Sequence, residues 1–179
     1  MTLSAAALGC GGGDGGGSPA CDALTNYHAT STTPLSFATD IYPILANSDA
    51  TAGGCSQPSI CHGNGSVPFP INMAGNKYLQ FLYGPDGSPM MDPVMAKSEL
   101  MMASVNAPSM QRVVASNVGQ SLLAYKISGK DGLACVKSMC QSGASVGTPP
   151  CGDPMPSIGT LSAGDRTKIL DWIATGAAN

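Results

Sequence analysis

The residues best equipped for chemistry in this 179-residue chain are its 7 cysteines, 2 histidines and 10 methionines. The sharpest arrangement is Cys55-Ser-Gln-Pro-Ser-Ile-Cys61-His62-Gly63. A cysteine followed directly by a histidine is how haem c is attached: two thiols add to the vinyl groups and the neighbouring imidazole ligates the iron. The usual spacing places two residues between the cysteines so that one helical turn presents both sulfurs, whereas here there are five. Cys61 and His62 keep the relation between the second thioether and the axial imidazole. The additional residues, held by Pro58, would bulge outward before Cys55 returns. The same residues also allow a Cys55–Cys61 disulfide that closes a short loop and leaves His62 exposed.

Haem iron in electron carriers commonly takes a methionine sulfur opposite the histidine. Met155, between Pro154 and Pro156 just before the last helical segment, is the candidate, because flanking prolines hold a loop sulfur at low entropic cost. His28 is an alternative ligand, although a histidine among Thr, Ser and Ala reads as solvated. Met90, Met91, Met95, Met101, Met102 and Met110 form a cluster of soft thioethers of the kind that suits Cu(I). Their spacing also fits one face of a helix, so core packing or gap filling is the preferred reading. With Cys55 and Cys61 assigned to thioethers and Cys10 set apart, Cys21, Cys135, Cys140 and Cys151 remain, enough for two disulfides in any of three pairings. Without haem, six cysteines would make three. Bridges near Cys151 would fix the loop carrying Met155 in either case.

The elements that must position these groups read as helices. Phe37, Ile41, Ile44 and Leu45 recur at helical spacing after Ser36, with Pro43 limiting or kinking the segment. Residues 73–83 suggest a second helix, ended by Gly84-Pro85. Residues 93–105 and 117–127 are weaker candidates, the latter stopping at Gly129. The chain from Cys135 to Met155 reads as coil. The clearest helix is the last: Ser162 as cap, Asp165 three residues on, Ile169, Leu170, Trp172 and Ile173 as the apolar face, and Gly176 as the stop. Strand signals are few, so the expected class is mainly α with long loops.

Ala7-Leu8-Gly9-Cys10, followed by a nearly unbroken glycine run, resembles the end of a bacterial lipoprotein signal. The resemblance implies that residues 1–9 are a signal remnant and that Cys10 carries lipid. Residues 10–35 would be a flexible tether, and the protein would be anchored at a membrane in the periplasm or at the cell surface. Disulfides persist in such a compartment.

The ordered set Phe37…Asp40-Ile41-Tyr42-Pro43-Ile44-Leu45, Cys61-His62-Gly63, Arg112-Val113-Val114, Ser121-Leu122-Leu123…Lys126-Ile127…Gly129, Met155-Pro156 and Leu161-Ser162…Ile169…Trp172-Ile173…Gly176-Ala177 resembles the planctomycete-type cytochrome c domain. The similarity spans residues 36–179. It implies a class I cytochrome c topology in which the first and last helices cross beside the haem, with Phe37 and Ile41 near Trp172 or Ile173. It also implies covalent haem c on Cys55 and Cys61, with His62 the proximal and Met155 the distal ligand.

Composition trims the alternatives. Charged residues are 11% of the chain, against roughly 25% in ordinary soluble domains. With 8 basic and 11 acidic residues, a net charge of −3 and a pI near 5.0, there is no basic field for nucleic acid. No phosphate loop, nucleophile elbow or paired-carboxylate motif is found, so the expectation is an electron carrier and not an enzyme. Its partners would be redox proteins, and the membrane through the lipid on Cys10. The rival expectation is a haem-free, disulfide-stapled lipoprotein that uses the same fold as a binding or structural module.

Overall fold

The computed structural model describes residues 18–47, 93–104, 107–140, 151–156 and 159–179. Cys10, the glycine run, Cys55, Cys61, His62, the helix expected over 73–83, Met90 and Met91 lie outside the described residues, and nothing is said of the side chain of Met95. The described part is mainly helical. Its helices are α1 (Pro19–Thr25), α2 (Tyr42–Leu45), α3 (Pro93–Leu100), α4 (Leu122–Ile127), α5 (Gly129–Cys135) and α6 (Ala163–Ala174), with shorter helical turns over Phe37–Ile41, Val118–Gln120 and Lys137–Met139. Among the described residues there are no strands; Ala103, Gln111 and Ser121 form isolated bridges only.

Helix α6 follows its sequence closely. Ser162 Oγ accepts the Asp165 N–H at 3.0 Å, while its hydroxyl donates to Asp165 Oδ2 at 2.8 Å, so one residue pair closes the first turn. At the other end the Ala177 N–H bonds to the Trp172 carbonyl at 2.8 Å and the Gly176 N–H to that of Ile173 at 3.2 Å. Those two bonds, with Gly176 at φ 108, are the glycine-terminated helix stop that its sequence predicts.

Proline shapes the segment before α2. An α-helical Pro43 would clash with the Thr39 carbonyl and could not donate to it. The chain instead makes a wide π turn over Phe37–Ile41, closed by the Tyr42 N–H on the Phe37 carbonyl, before α2 begins. Ser36 occupies the cap position, but the bond runs the other way: its backbone N–H donates to Asp40 Oδ2 at 2.8 Å.

This π turn packs on α6. The rings of Phe37 and Trp172 lie 5.2 Å apart, tilted by 39°. Both the Phe37 N–H and the Trp172 indole N–H donate to the Ala178 carbonyl, at 3.3 and 2.8 Å. Phe37, Ile41, Leu45, Ile169, Trp172 and Ile173 are all fully buried, and Leu100, Val113 and the apolar face of α4 complete one core.

One expectation is corrected. Residues 18–35, read as the end of a flexible tether, instead carry α1, which is bonded through Cys21 to Cys135 at the end of α5 (Cα–Cα 5.5 Å). Leu24 enters the core, and Gly119 lies so close to α1 that an added Cβ would sit 2.9 Å from Thr25 Cα. The expected stop at Gly129 is present. At φ 77 it ends α4, and the chain turns there and resumes as α5, an element for which the sequence reading gave no expectation.

Candidate functional site

Met155 is the sequence-predicted site residue that the described structure contains. It is half-buried against the core, in a loop running from Cys151 to Pro156. Three ties hold this loop. Cys151, itself buried, is bonded to Cys140 (Cα–Cα 5.1 Å). The Met155 N–H donates to the Lys126 carbonyl at 3.0 Å, and the Lys126 ammonium donates to the Asp153 carbonyl at 3.0 Å. The expected bridge near Cys151 is therefore present, and it anchors the loop that carries the sulfur.

The two disulfides use Cys21, Cys135, Cys140 and Cys151. Of the three pairings open to these four cysteines, the structure selects Cys21–Cys135 and Cys140–Cys151. Neither bridge engages Cys55, Cys61 or Cys10.

Arg112 is a second feature with chemical potential. It is 8% exposed, and its Nη1 donates to the Glu99 carbonyl at 2.6 Å near the C-terminal end of α3, with the Glu99 carboxylate at 3.4 Å. Burial pulls its pKa down more than the Glu99 charge pulls it up. Its Nη2 is buried and has no hydrogen-bond partner. A buried guanidinium donor without an acceptor is costly, so this nitrogen is suited to an additional acceptor such as a carboxylate.

The third feature is Asp171, buried on α6 between Leu170 and Trp172. Its Oδ1 accepts the Tyr27 hydroxyl and the Thr30 N–H, both at 2.8 Å. Its Oδ2 accepts the Thr30 hydroxyl at 2.7 Å and the Ser31 N–H at 2.9 Å. Burial alone would raise its pKa, but the bonds from Thr30, Tyr27 and Ser31 together outweigh it and hold the carboxyl below its ordinary value. Burial and the same carboxylate push the Tyr27 phenol up. Asp171 is a latch that ties the N-terminal segment to the last helix. His28, two residues from Thr30, is exposed.

Sequence reading missed both Asp171 and the free nitrogen of Arg112. A single carboxylate inside the apolar run Ile169-Leu170-Asp171-Trp172-Ile173 was the available signal for the first. Among the described residues of the methionine cluster, Met110 is buried while Met102 is 41% exposed, so these two do not share a surface.

Comparison with known protein families, with curated proteins and with solved structures finds nothing that matches this chain.

Proposed function

We propose that the protein is an exported, lipid-anchored electron carrier of cytochrome c type, with one covalent haem c and redox proteins as partners. The observation that carries this reading is the pinned Met155 loop. A thioether is offered from a segment that a disulfide and two hydrogen bonds hold in place, which would suit a ligand that must keep its position through a change of redox state.

The donor set fits the group. Haem c brings an iron that accepts a thioether and two carboxylates that need donors, and the chain supplies Met155 and the unpartnered Nη2 of Arg112. Both residues are tied to α4. The Arg112 carbonyl accepts the Leu123 N–H at 2.9 Å, and Met155 bonds to Lys126, one turn or about 4.5 Å further along the helix. The packing of Phe37, in the π turn before α2, on Trp172 of α6 supports the contact that the family resemblance implies.

In this reading Cys55 and Cys61 would hold the haem by thioethers, and His62 and Met155 would supply the iron's two protein ligands. The haem would supply a reversible one-electron couple. Met155 would favour the reduced state relative to a second histidine and so raise the potential. Arg112 would offset carboxylate charge at a buried position, and the apolar contact of Phe37 with Trp172 would help keep water from the core. The lipid on Cys10 would keep the carrier at a membrane surface in the periplasm or outside the cell.

The test is expression with haem-attachment machinery, followed by an intact mass and a visible spectrum. A mass increase of one haem with a Soret band is expected, and His62→Ala should abolish the normal α-band. Colourless protein with a Cys55–Cys61 disulfide would replace this reading with the haem-free, disulfide-stapled lipoprotein. Cys10→Ser should release the protein from membranes, and unchanged membrane partitioning would remove the lipid anchor.

A further inference from the structure

Lys126 makes both of the non-covalent ties on the Met155 loop, one with its backbone and one with its side chain. The break in the helix makes the first possible. In an uninterrupted helix the Lys126 carbonyl would accept the N–H of Lys130, four residues on. Because α4 stops at Ile127 and Gly129 turns the chain at φ 77, that carbonyl does not receive the Lys130 N–H; the capping Ser128 N–H approaches both it and the Tyr125 carbonyl, and as a last-turn acceptor it can also take a donor from outside the helix. The Met155 N–H takes it. The ammonium then reaches the Asp153 carbonyl, so the two ties flank Pro154 and fix where Met155 begins.

We infer that Lys126 is the positioning residue of Met155: its carbonyl and its ammonium hold the loop at two points two residues apart and so set the placement of the thioether. This inference deepens the electron-carrier reading and rests on it for the ligand's role, but the clamp itself is a property of the polypeptide. Cys140–Cys151 fixes the start of the loop, four residues before the sulfur. Lys126 fixes its end. Removing the ammonium leaves the backbone tie in place and therefore loosens the sulfur without abolishing ligation.

The experiment compares wild type with Lys126→Met, Lys126→Arg and, as control, Lys130→Met, which changes an exposed lysine on α5. Amide hydrogen exchange at Met155 should be about two- to fivefold faster in Lys126→Met than in wild type, the effect of losing one partly exposed hydrogen bond. In the haem-loaded protein, exogenous imidazole should displace Met155 at a concentration lower by a similar factor. Lys126→Arg, which keeps a donor on a long stem, should recover most of both effects, and Lys130→Met should show neither. Equal exchange and equal imidazole displacement in Lys126→Met and Lys130→Met would overturn the inference, as would failure of arginine to restore them. Absence of haem from the wild-type protein would remove the electron-carrier reading by itself, and the exchange comparison would still decide whether Lys126 clamps the loop.

Discussion

Replacing Asp171 with asparagine tests whether a buried charge holds the N-terminal segment to α6. The carboxylate accepts from two hydroxyls and two backbone N–H groups. Asparagine keeps one oxygen and turns the other into a donor. A hydroxyl facing the new amide nitrogen can rotate and accept from it. The backbone N–H on the same side cannot, and that is the Ser31 N–H or the Thr30 N–H according to how the amide sits. One charge-assisted bond is lost outright, worth about 1.5–3 kcal/mol, and the others weaken to neutral strength. Water reaches exposed Thr30 and offsets part of this, so the expected loss near neutral pH is about 2–3 kcal/mol, or about 4–12 °C in Tm for a chain of this size.

The pH dependence gives a second, independent reading. The folded pKa of Asp171 lies below its ordinary value of 3.8. Its contribution to stability is therefore complete above the unfolded carboxyl pKa and is lost as pH falls through the lower folded value. Urea unfolding of the oxidised protein, followed by the fluorescence of its one tryptophan, should show a constant gap between wild type and Asp171→Asn down to about pH 5. The gap should narrow below the ordinary carboxyl value and close in stronger acid. A gap under about 0.5 kcal/mol at neutral pH, the size of an ordinary surface change, would refute the latch. A gap that persists unchanged to about pH 2.5 would show that the charge is not its source.

Ser162→Ala should cost about 1 kcal/mol by removing the cap of α6, and a Tm within error of wild type would show the cap to be idle. Gly119→Ala forces a Cβ against the backbone of Thr25, so α1 must shift. Exchange of the α1 amides should accelerate while that of α6 stays slow, and uniform protection would count against the close packing. The double change Cys21→Ser, Cys135→Ser opens a crosslink spanning 114 residues and should cost about 3–5 kcal/mol in chemical denaturation.

Helix α6 was readable in full because everything that defines it lies within its own window: Ser162 and Asp165 at one end, Gly176 at the other, and the apolar face between. The contact of Phe37 with Trp172 followed from the family resemblance and not from any local pattern. Residues 18–35 were unreadable for the opposite reason. Their composition is that of coil, and their order comes from Cys135 and Asp171, more than a hundred residues away in sequence. At Gly129 the stop signal was read correctly, but the restart was not, because Gly-Lys-Asp-Gly is a poor helix former and α5 draws its stability from α4 and the Cys21–Cys135 bond. In the candidate site, the bridge at Cys151 that holds the Met155 loop was legible in the sequence. The clamp from Lys126 was not, since no sequence window contains both Lys126 and Asp153.

The Cys21–Cys135 bond also decides how the molecule would respond to mechanical load. A pull applied to the chain ahead of residue 18 enters at α1 and passes through sulfur directly into α5, bypassing everything between. The 114-residue separation corresponds to about 400 Å of extended polypeptide that cannot be paid out while the bond is intact. Under tension from its N-terminal end the chain beyond Cys21 would therefore lengthen only after Cys135, and there the Cys140–Cys151 bond withholds a further 11 residues. The hydrophobic interior contributed by residues 37–45 and by α3 and α4 would stay slack.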